Sequence, residues 1–390
     1  MDLSERLGRV KPSATLAFTR KALEMKAAGR EVISLSAGEP DFDTPDHIVE
    51  AALKAIANGQ TRYTAVDGTP EIKNAVCGKL KRDGMEYGAS QVVVTSGAKQ
   101  ALFNAMLALL NPGDETIVPA PYWVSYPDMV RLAGGDAVIA PCPAAAAFKL
   151  TPEALSQALT ERTRLLVFNS PGNPTGRAYT KAEYEALGAV LAQWPRVVVV
   201  TDEIYEGIYW GNEPITPFLM ACPELKERTL VVNGVSKAYA MTGWRIGYAA
   251  GPEELIGAMR KIQGQSTSNA CSISQAAAAA ALSGDQSCVA EMTKAYRRRH
   301  DLVLAGLNQL PGVSCDAGEG AFYLLPDFSE AIATKGAEDD IDLATQILDQ
   351  AEVATVPGTP FGAPGFIRIA YATSDDLLRQ ALERIGNFLS

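Results

Sequence analysis

The chain has 390 residues, more than one hydrophobic core usually supports, so we expect two domains. Its 35 basic and 45 acidic residues give a formal net charge of -10, the wrong sign for binding nucleic acid or an anionic membrane surface. Six cysteines occur singly, without a CxxC pair, and we expect them to be reduced, small core residues. Because the chain has only two histidines, a zinc site and a Ser-His-Asp relay are both disfavoured.

The N-terminal sequence MDLSERLGRVKPSA has acidic residues where a signal peptide would carry positive charge followed by an apolar run. No stretch of the chain is long and apolar enough to suggest a membrane span. We therefore expect a cytoplasmic protein with neither a membrane nor nucleic acid as its partner.

Short apolar runs alternate with Gly/Pro loops and longer helical stretches between about residues 92 and 250, which is the pattern of βαβ units. The runs are Val92–Thr95, Glu115–Ala120, Arg164–Asn169, Arg196–Asp202, Thr229–Asn233 and Arg245–Ala250. Because they are apolar throughout, they predict an α/β fold with a doubly wound, mostly parallel sheet covered on both faces. Ligands bind beyond the carboxyl ends of such strands, so the residues there are the candidates for chemistry.

The C-terminal part has a different pattern, with a basic helix over about residues 296–310 and two strand-like runs, AFYLL and FIRIAYA. A closing helix is predicted from its cap and its apolar spacing: Ser374, then Leu378, Leu382, Ile385 and Leu389. We expect this part and the N-terminal segment to form a smaller α+β domain, residues 1–44 and 295–390, beside a large domain of residues 45–294.

Two charged residues follow buried-looking strands. Lys237 has small or aromatic neighbours, where desolvation would lower the pKa of its amine and keep it nucleophilic, as a Schiff-base lysine requires. A snorkelling surface lysine is the alternative. Asp202 ends an apolar strand and needs a cationic partner, for which the protonated pyridine nitrogen of pyridoxal phosphate is one candidate. Alternatively, this carboxylate could cap a helix formed by the segment EIYEG that follows it.

Further polar and aromatic residues follow other strands. Tyr205 and Asn173 could each donate to a ring oxygen of a cofactor, although Asn173 also suits a plain turn. Gly97 and Ala98 open a helix whose free amide groups could hold a phosphate, and Arg245 could add positive charge there. A simple strand-to-helix junction is the alternative.

Trp123 and Arg368 are two further candidate site residues. Trp123 offers a flat face to a pyridine ring, or is a buried structural tryptophan. Arg368 interrupts the apolar run FIRIAYA, where a guanidinium needs a planar anion such as a substrate α-carboxylate. A structural salt bridge is the alternative for this arginine.

The order of these segments resembles the class I aminotransferases of the aspartate aminotransferase family over essentially the full chain. The resembling segments are SAGEPDFDTP, SGAKQALFN, PYWVSYP, NSPGNPTG, TDEIY, NGVSKAYAMTGWRIGY, GAFY and FIRIAYATS. The resemblance implies a fold-type I transferase that binds pyridoxal 5'-phosphate, acts on amino acid and 2-oxo acid substrates, and forms a homodimer with shared active sites.

The resemblance also implies a role for each candidate residue. Lys237 would be the Schiff-base lysine, Asp202 the partner of the pyridine nitrogen, and Arg368 the ligand of the substrate α-carboxylate, beside the backbone of Gly38. The remaining cofactor contacts would come from Tyr205 and Asn173 at the ring oxygen, Trp123 on the ring face, and Gly97, Ala98, Arg245 and the neighbouring subunit's Tyr63 at the phosphate. Cis peptides before Pro121 and Pro174 are implied as well.

The substrate is expected to be aspartate, with 2-oxoglutarate as acceptor in a ping-pong reaction. In the bacterial branch that the sequence resembles, Lys99 and an N-terminal segment recognise the distal carboxylate, which here assigns Lys11, Ser13 and Thr15 to that task. A lysine at position 11 accompanies additional prephenate transamination in that branch, or is merely a basic residue on a mobile arm. The extra residues in CDAGEGAFY and the loop PAAAAF are expected near surfaces.

Other functions remain open from the sequence. The same cofactor could serve an aromatic or broad-specificity aminotransferase, or a β-lyase, because the fold does not fix the reaction. A regulator with an aminotransferase-like domain would need a DNA-binding helix pair ahead of the match, which begins near Lys11. A nicotinamide dehydrogenase is disfavoured because no GxGxxG follows the first strand.

Overall fold

The computed structural model describes residues 1–10 and 14–390, apart from the side chains of residues 14–17 and 19. The helices are α1 (Ala14–Ala27), α2 (Asp46–Ala57), α3 (Pro70–Arg82), α4 (Ala98–Leu109), α5 (Ser125–Leu132), α6 (Pro152–Ala158), α7 (Lys181–Leu191), α8 (Phe218–Ala221), α9 (Glu253–Ser266), α10 (Ser272–Ser283), α11 (Ser287–Leu307), α12 (Ser329–Lys335), α13 (Asp340–Gln346) and α14 (Asp375–Leu389). The strands are β1 (Ile33–Ser34), β2 (Val92–Thr95), β3 (Glu115–Ala120), β4 (Asp136–Pro141), β5 (Thr163–Asn169), β6 (Val198–Asp202), β7 (Thr229–Gly234), β8 (Gly247–Ala250), β9 (Tyr323–Leu324), β10 (Val353–Ala354), β11 (Val356–Pro357) and β12 (Ile367–Ala370).

A seven-stranded sheet in the order β2-β8-β7-β6-β5-β3-β4 forms the centre of the molecule. The five strands from β4 to β7 in this order are parallel, and β8 is antiparallel to both of its neighbours. The mostly parallel sheet predicted from the apolar runs is therefore confirmed. The reversal at β8 follows from its connection to β7, which contains a 3-10 turn but no α-helix and so makes no crossover.

Helices cover both faces of this sheet, as the continuous apolar runs predicted. Val92 and Val94 pack with α2, α3 and α10, whereas Val93 packs with α4 and α9 on the other face. Because successive residues of a strand point to opposite faces, both faces must be apolar. The strand β4 was not predicted, because it lies at the sheet edge and its residues are mostly exposed or half-buried.

Two small sheets lie outside the central one: β1 pairs with β10 in parallel, and β11-β12-β9 is antiparallel. They share a core with α1, α11, α13 and α14. The closing helix is confirmed, since the Ser374 hydroxyl accepts from the Leu377 amide at the start of α14. The basic helix begins earlier than predicted, at Ser287, and ends at Leu307.

Two further sequence expectations can be compared with the structure. All six cysteines are unpaired, but Cys142 and Cys222 alone are buried, and Cys271 is exposed, so the expectation of six core cysteines was wrong. No helix among the described residues has the length and apolar character needed to cross a membrane.

Candidate active site

A cavity of about 500 Å³ opens at the carboxyl ends of β5, β6 and β7. Parallel strands place their carboxyl ends at one edge of the sheet, so the polar residues that follow them converge there. The cavity is lined by these predicted residues: Gly38, Ala98, Lys99, Trp123, Asn173, Asp202, Tyr205, Lys237, Arg245 and Arg368. Residues from distant parts of the sequence, from Gly38 to Arg368, are thus brought to one place, as the strand pattern predicted.

Asp202 is the last residue of β6 and is 4% exposed. Its carboxylate accepts from the Tyr126 hydroxyl at 2.7 Å and from the Ile204 amide at 3.3 Å. Burial raises the pKa of Asp202 to about 6, although these two hydrogen bonds and Lys237 lower it. Among the described residues, no lysine or arginine forms an ion pair with Asp202, and no helix begins in the segment that it was expected to cap.

Lys237 follows β7 and directs its amine into the cavity. Its Nζ donates to the Gly38 carbonyl at 2.5 Å and lies 5.9 Å from the centre of the Tyr205 ring. Burial lowers the pKa of Lys237 to about 8, and the charges of Arg245 and Arg368 lower it further. The carboxylates of Glu39 and Asp202 act in the opposite direction and raise this pKa. The amine is therefore partly neutral near physiological pH, and the snorkelling alternative is wrong.

Arg368 lies in β12, 2% exposed, and its guanidinium is held by neutral groups. Nη1 donates to Asn173 Oδ1 at 3.0 Å, and Nη2 donates to the Ser36 carbonyl at 2.7 Å. Its Nε has no hydrogen-bond partner among the described residues. The structural salt bridge considered as an alternative is absent from the part of the chain that the structure describes.

Asn173 and Tyr205 are both buried beside Arg368. Because the amide oxygen of Asn173 accepts from Arg368, its Nδ2 is the atom left to donate to a ligand. The Asn173 backbone is held by Asn169, whose Oδ1 accepts from the Asn173 amide at 2.8 Å. The Tyr205 hydroxyl lies 2.9 Å from the hydroxyl of Tyr323.

The start of α4 packs directly against the Arg245 guanidinium. Gly97 has a φ of 83°, and a Cβ on this residue would lie 2.4 Å from Arg245 Nη2. The sequence predicted that Arg245 would lie within a strand, but it precedes β8 and has a φ of 55°. The strand begins only at Gly247, because its backbone packs against Ala98, where a Cβ would lie 2.2 Å from the Ala98 amide nitrogen.

Trp123 is half-buried, and its ring lies beside the cavity. The Nζ of Lys99 is 4.7 Å from the centre of the Trp123 indole ring, a distance typical of a cation–π contact. Burial and, to a lesser degree, Arg245 lower the pKa of Lys99. Lys99 thus lies at the outer end of the cleft, on the same helix as Ala98.

Tyr63, which is 91% exposed, and Gly97 are not among the residues that line the cavity of this chain. Lys11 and Ser13 lie outside the described residues, as does the side chain of Thr15. The implied cis peptides before Pro121 and Pro174 are present, and a third, before Pro171, was not predicted.

The segment CDAGEGAFY lies at the surface in part, as expected: Asp316 and Ala317 are exposed, but the residues from Gly320 onward are buried. Gly318 and Gly320 are buried, and the amides of Glu319 and Gly320 both donate to the Gly176 carbonyl at 2.9 Å. The Gly318 amide donates to His300 Nε2 at 3.1 Å. These bonds join the segment to the loop that carries Asn173. The loop PAAAAF likewise has exposed residues, Ala144 and Ala145.

Three residues of the site were not identified from the sequence. Tyr126 donates to Asp202, Asn169 holds Asn173, and Tyr323 contacts Tyr205. Asn169 ends β5, so its position after an apolar run could have indicated it. Tyr126 and Tyr323 had no comparable signal, because each meets its partner through the tertiary fold alone.

Comparison with known proteins agrees with this geometry. The family model described as "Aminotransferase class I and II" matches residues 30–385. An aspartate/prephenate aminotransferase of Cereibacter sphaeroides is 54% identical over 99% of this chain and 98% of its own length. An aspartate aminotransferase of Geobacillus stearothermophilus is 48% identical over 100% of this chain and 99% of its own.

The chain is also similar in structure to solved aspartate aminotransferases. An aspartate aminotransferase from Rhizobium meliloti superposes with a TM-score of 0.96 at 47% identity, covering 100% of this chain and 99% of that one. The Thermus thermophilus aspartate aminotransferase with maleate gives a TM-score of 0.93 at 45% identity, covering 99% of each chain. The chain has the fold-type I architecture and belongs to the class I and II aminotransferases.

Proposed function

We propose that this chain is a pyridoxal-phosphate-dependent aspartate aminotransferase, which moves the amino group of L-aspartate to 2-oxoglutarate in a ping-pong reaction. The observation that carries the proposal is the pair of Lys237 and Asp202 at the end of one buried cleft. A cleft amine with a lowered pKa and a carboxylate without a cation are each costly for stability, and such groups cluster at functional sites. Relatives about 50% identical are named for this activity.

The residues of the cleft fit pyridoxal phosphate on two structural grounds. Asp202 is buried with no cationic partner among the described residues, and a protonated pyridine nitrogen would supply one. At the other end, the absence of a side chain on Gly97 leaves Arg245 and the first amides of α4 facing the same space, which suits a phosphate group. When bound, the cofactor supplies a conjugated ring that accepts the electron pair of the breaking substrate bond.

Around that ring we assign four contacts to the chain. Lys237 would hold the cofactor covalently through Nζ, and Trp123 would lie against its face. Asn173 Nδ2 and the Tyr205 hydroxyl would donate to its ring oxygen. Because all four side chains are fixed by packing or hydrogen bonds, the ring would be oriented without reorganisation of the protein.

Lys237 also carries the proton transfer in this proposal. When free, the Nζ amine would take the proton from the substrate α-carbon, hold it, and return it later in the reaction. A pKa of about 8 suits an amine that must both accept and release a proton near neutral pH. Its contact with the Gly38 carbonyl keeps Nζ at the wall of the cleft.

Arg368 would bind the α-carboxylate of the substrate. Among the described residues, its Nε has no hydrogen-bond partner and no carboxylate is paired with it, which leaves a buried positive charge for that anion. Lys99 would bind the distal carboxylate, together with Lys11, Ser13 and Thr15. We propose prephenate as an additional acceptor, on the support of Lys11 and of the relatives named aspartate/prephenate aminotransferase.

We further propose a homodimer in which Tyr63 reaches the phosphate of the neighbouring active site, since its phenol is exposed and it is not among the residues that line its own cleft. The division into a large domain of residues 45–294 and a small one of residues 1–44 and 295–390 is likewise proposed. The large sheet falls within the first range and the two small sheets outside it. The boundary after Lys294 lies within α11.

The variant Lys237→Ala tests the proposed function. We expect turnover of aspartate and 2-oxoglutarate to fall by more than about 1,000-fold, because both covalent attachment and proton transfer are lost. Steady-state assays give the rate, and circular dichroism checks the fold. The exposed Lys294, which forms an ion pair with Glu291, gives the matched control Lys294→Ala. Retained turnover in Lys237→Ala contradicts the proposal. Release of pyruvate and ammonia by the unmodified protein from a β-substituted amino acid, without an oxo acid, would contradict it as well.

A further inference from the structure

Tyr323 lies where four segments of the site meet. It belongs to β9, is 0% exposed, and pairs with Ala370 two residues beyond Arg368 on β12. The Arg368 guanidinium carbon is 4.5 Å from the centre of the Tyr323 ring. Its hydroxyl is 2.9 Å from that of Tyr205, and a Cβ on Gly38 would lie 3.0 Å from it.

The hydrogen bond between the two tyrosines has two possible directions. Each phenol has one proton, so either oxygen can donate to the other. If Tyr205 donates to Tyr323, the Tyr205 proton is used and cannot reach a ligand. If Tyr323 donates, the Tyr205 proton is free to point into the cavity, where Tyr205 also contributes to the lining.

We propose that Tyr323 is a positioning residue: its hydroxyl donates to Tyr205 and so directs the Tyr205 proton to the ring oxygen of bound pyridoxal phosphate. A phenol that accepts one hydrogen bond also donates a stronger one, because hydrogen bonds in a chain polarise each other. Burial adds to the effect, since Tyr205 is 4% and Tyr323 0% exposed. This inference rests on the proposed function and assigns a task to a residue outside the set of cofactor contacts.

The direct test is the spectroscopic pKa of the lysine-bound cofactor, measured as its visible absorbance changes with pH. A donor at the ring oxygen stabilises the negative charge that remains after the proton is lost, and therefore lowers this pKa. Tyr323→Phe removes the donor and keeps the ring beneath Arg368. We expect the pKa to rise by about 0.5 to 1 unit, the equivalent of one ordinary hydrogen bond.

The charged and titratable groups that face the pair stay the same in this variant. They are Asp202, Lys237, Arg368 and Tyr126, with Glu39 and Arg245 beside Lys237. Since Arg368 keeps its aromatic neighbour, KM for aspartate should stay within about twofold, whereas kcat falls by about fivefold. A general loss of structure would change both constants.

A double-mutant cycle tests whether Tyr323 acts through Tyr205. In the background of Tyr205→Phe, the further change Tyr323→Phe should leave the spectroscopic pKa unchanged. Tyr371→Phe is the matched control, because Tyr371 is equally buried in the same core and its hydroxyl contacts the Ala321 carbonyl instead. We expect this control to have the pKa of the unmodified protein.

A second substitution covers the case in which Tyr323→Phe does not fold. Replacement of Tyr323 by 3-fluorotyrosine keeps the hydroxyl and makes it a stronger donor, so the spectroscopic pKa should fall. An unchanged pKa in Tyr323→Phe or in the fluorinated protein overturns the role of Tyr323, as does an equal rise in Tyr371→Phe. Absence of any visible band in the unmodified protein would instead overturn the proposed function, so the two failures are distinguishable.

Discussion

Asp202 is a buried residue whose negative charge opposes stability in the protein without cofactor. Its carboxylate is 4% exposed, and burial raises its pKa from 3.8 to about 6. A carboxyl group with a raised folded-state pKa contributes stability below its unfolded pKa, and that contribution is lost as pH rises through the folded pKa. The cofactor-free protein should therefore become less stable between about pH 4 and pH 6 on account of Asp202.

The variant Asp202→Asn should relieve this cost. The amide keeps an acceptor for Tyr126 but carries no charge. Without cofactor, we expect the variant to be more stable than the unmodified protein by about 1–3 kcal/mol at pH 8. At pH 4.5 the difference should nearly vanish, because Asp202 is then mostly protonated. Thermal unfolding at the two pH values measures this, and equal or lower stability of Asp202→Asn at pH 8 is inconsistent with an uncompensated buried charge.

At the scale of elements, the loop after β5 and the segment before β9 are joined into one wall of the cleft. The joining bonds run from Glu319 and Gly320 to the Gly176 carbonyl, and from Gly318 to His300 on α11. His300 must be neutral at Nε2 to accept this bond, and its Nδ1 lies 2.9 Å from Asp301. Burial lowers the pKa of His300 below 6.5, which keeps the acceptor available at neutral pH.

The variant His300→Ala should loosen this wall. A histidine with a lowered folded-state pKa contributes stability above its unfolded pKa, and that contribution is lost as pH falls through the folded value. We expect a loss of about 1–3 kcal/mol at pH 8 and a smaller one at pH 5. Thermal unfolding gives both values, with faster amide exchange expected at Gly318. His47→Ala is the control, since His47 Nε2 has no hydrogen-bond partner among the described residues. An equal loss at both pH values in His300→Ala argues against this role.

The elements differ in how far the sequence predicts them. The ends of β6 and β7 were predictable because an apolar run stops at a polar residue, which placed Asp202 and Lys237 correctly. The contacts of Tyr126, Tyr323 and His300 were not predictable from the sequence, because each joins residues that are far apart along the chain. The separations are 76, 118 and 18 residues respectively. The direction of β8 depends on the absence of a helix in the connection before it, and an apolar run carries no information on direction.

At the scale of the whole molecule, one chain leaves its active site open on one side. A groove of about 1010 Å³ adjoins the cleft and shares with it the residues Lys99, Val124, Ser125 and Arg245. Tyr63, expected at the phosphate, is 91% exposed in the single chain. The proposed homodimer accounts for both observations, since a second copy would cover the groove and supply Tyr63.

Subunit mixing tests this arrangement. Lys237→Ala lacks the reacting amine, and Tyr63→Ala should bind the cofactor weakly. If Tyr63 acts across the interface, a mixed dimer has one site with both defects and one intact site. Refolding the two variants together should then restore activity at limiting cofactor that neither shows alone. Each variant refolded by itself is the control, and no gain on mixing would place Tyr63 in its own subunit's site or outside the site.

The most direct test of the central claim is the absorbance spectrum of the purified protein before and after addition of aspartate. We predict a visible band from cofactor held by Lys237, and its conversion by aspartate alone to the shorter-wavelength absorbance of the aminated cofactor, with 2-oxoglutarate restoring the first spectrum. A protein that shows no visible band after incubation with pyridoxal phosphate, or whose band does not respond to aspartate, would contradict the account.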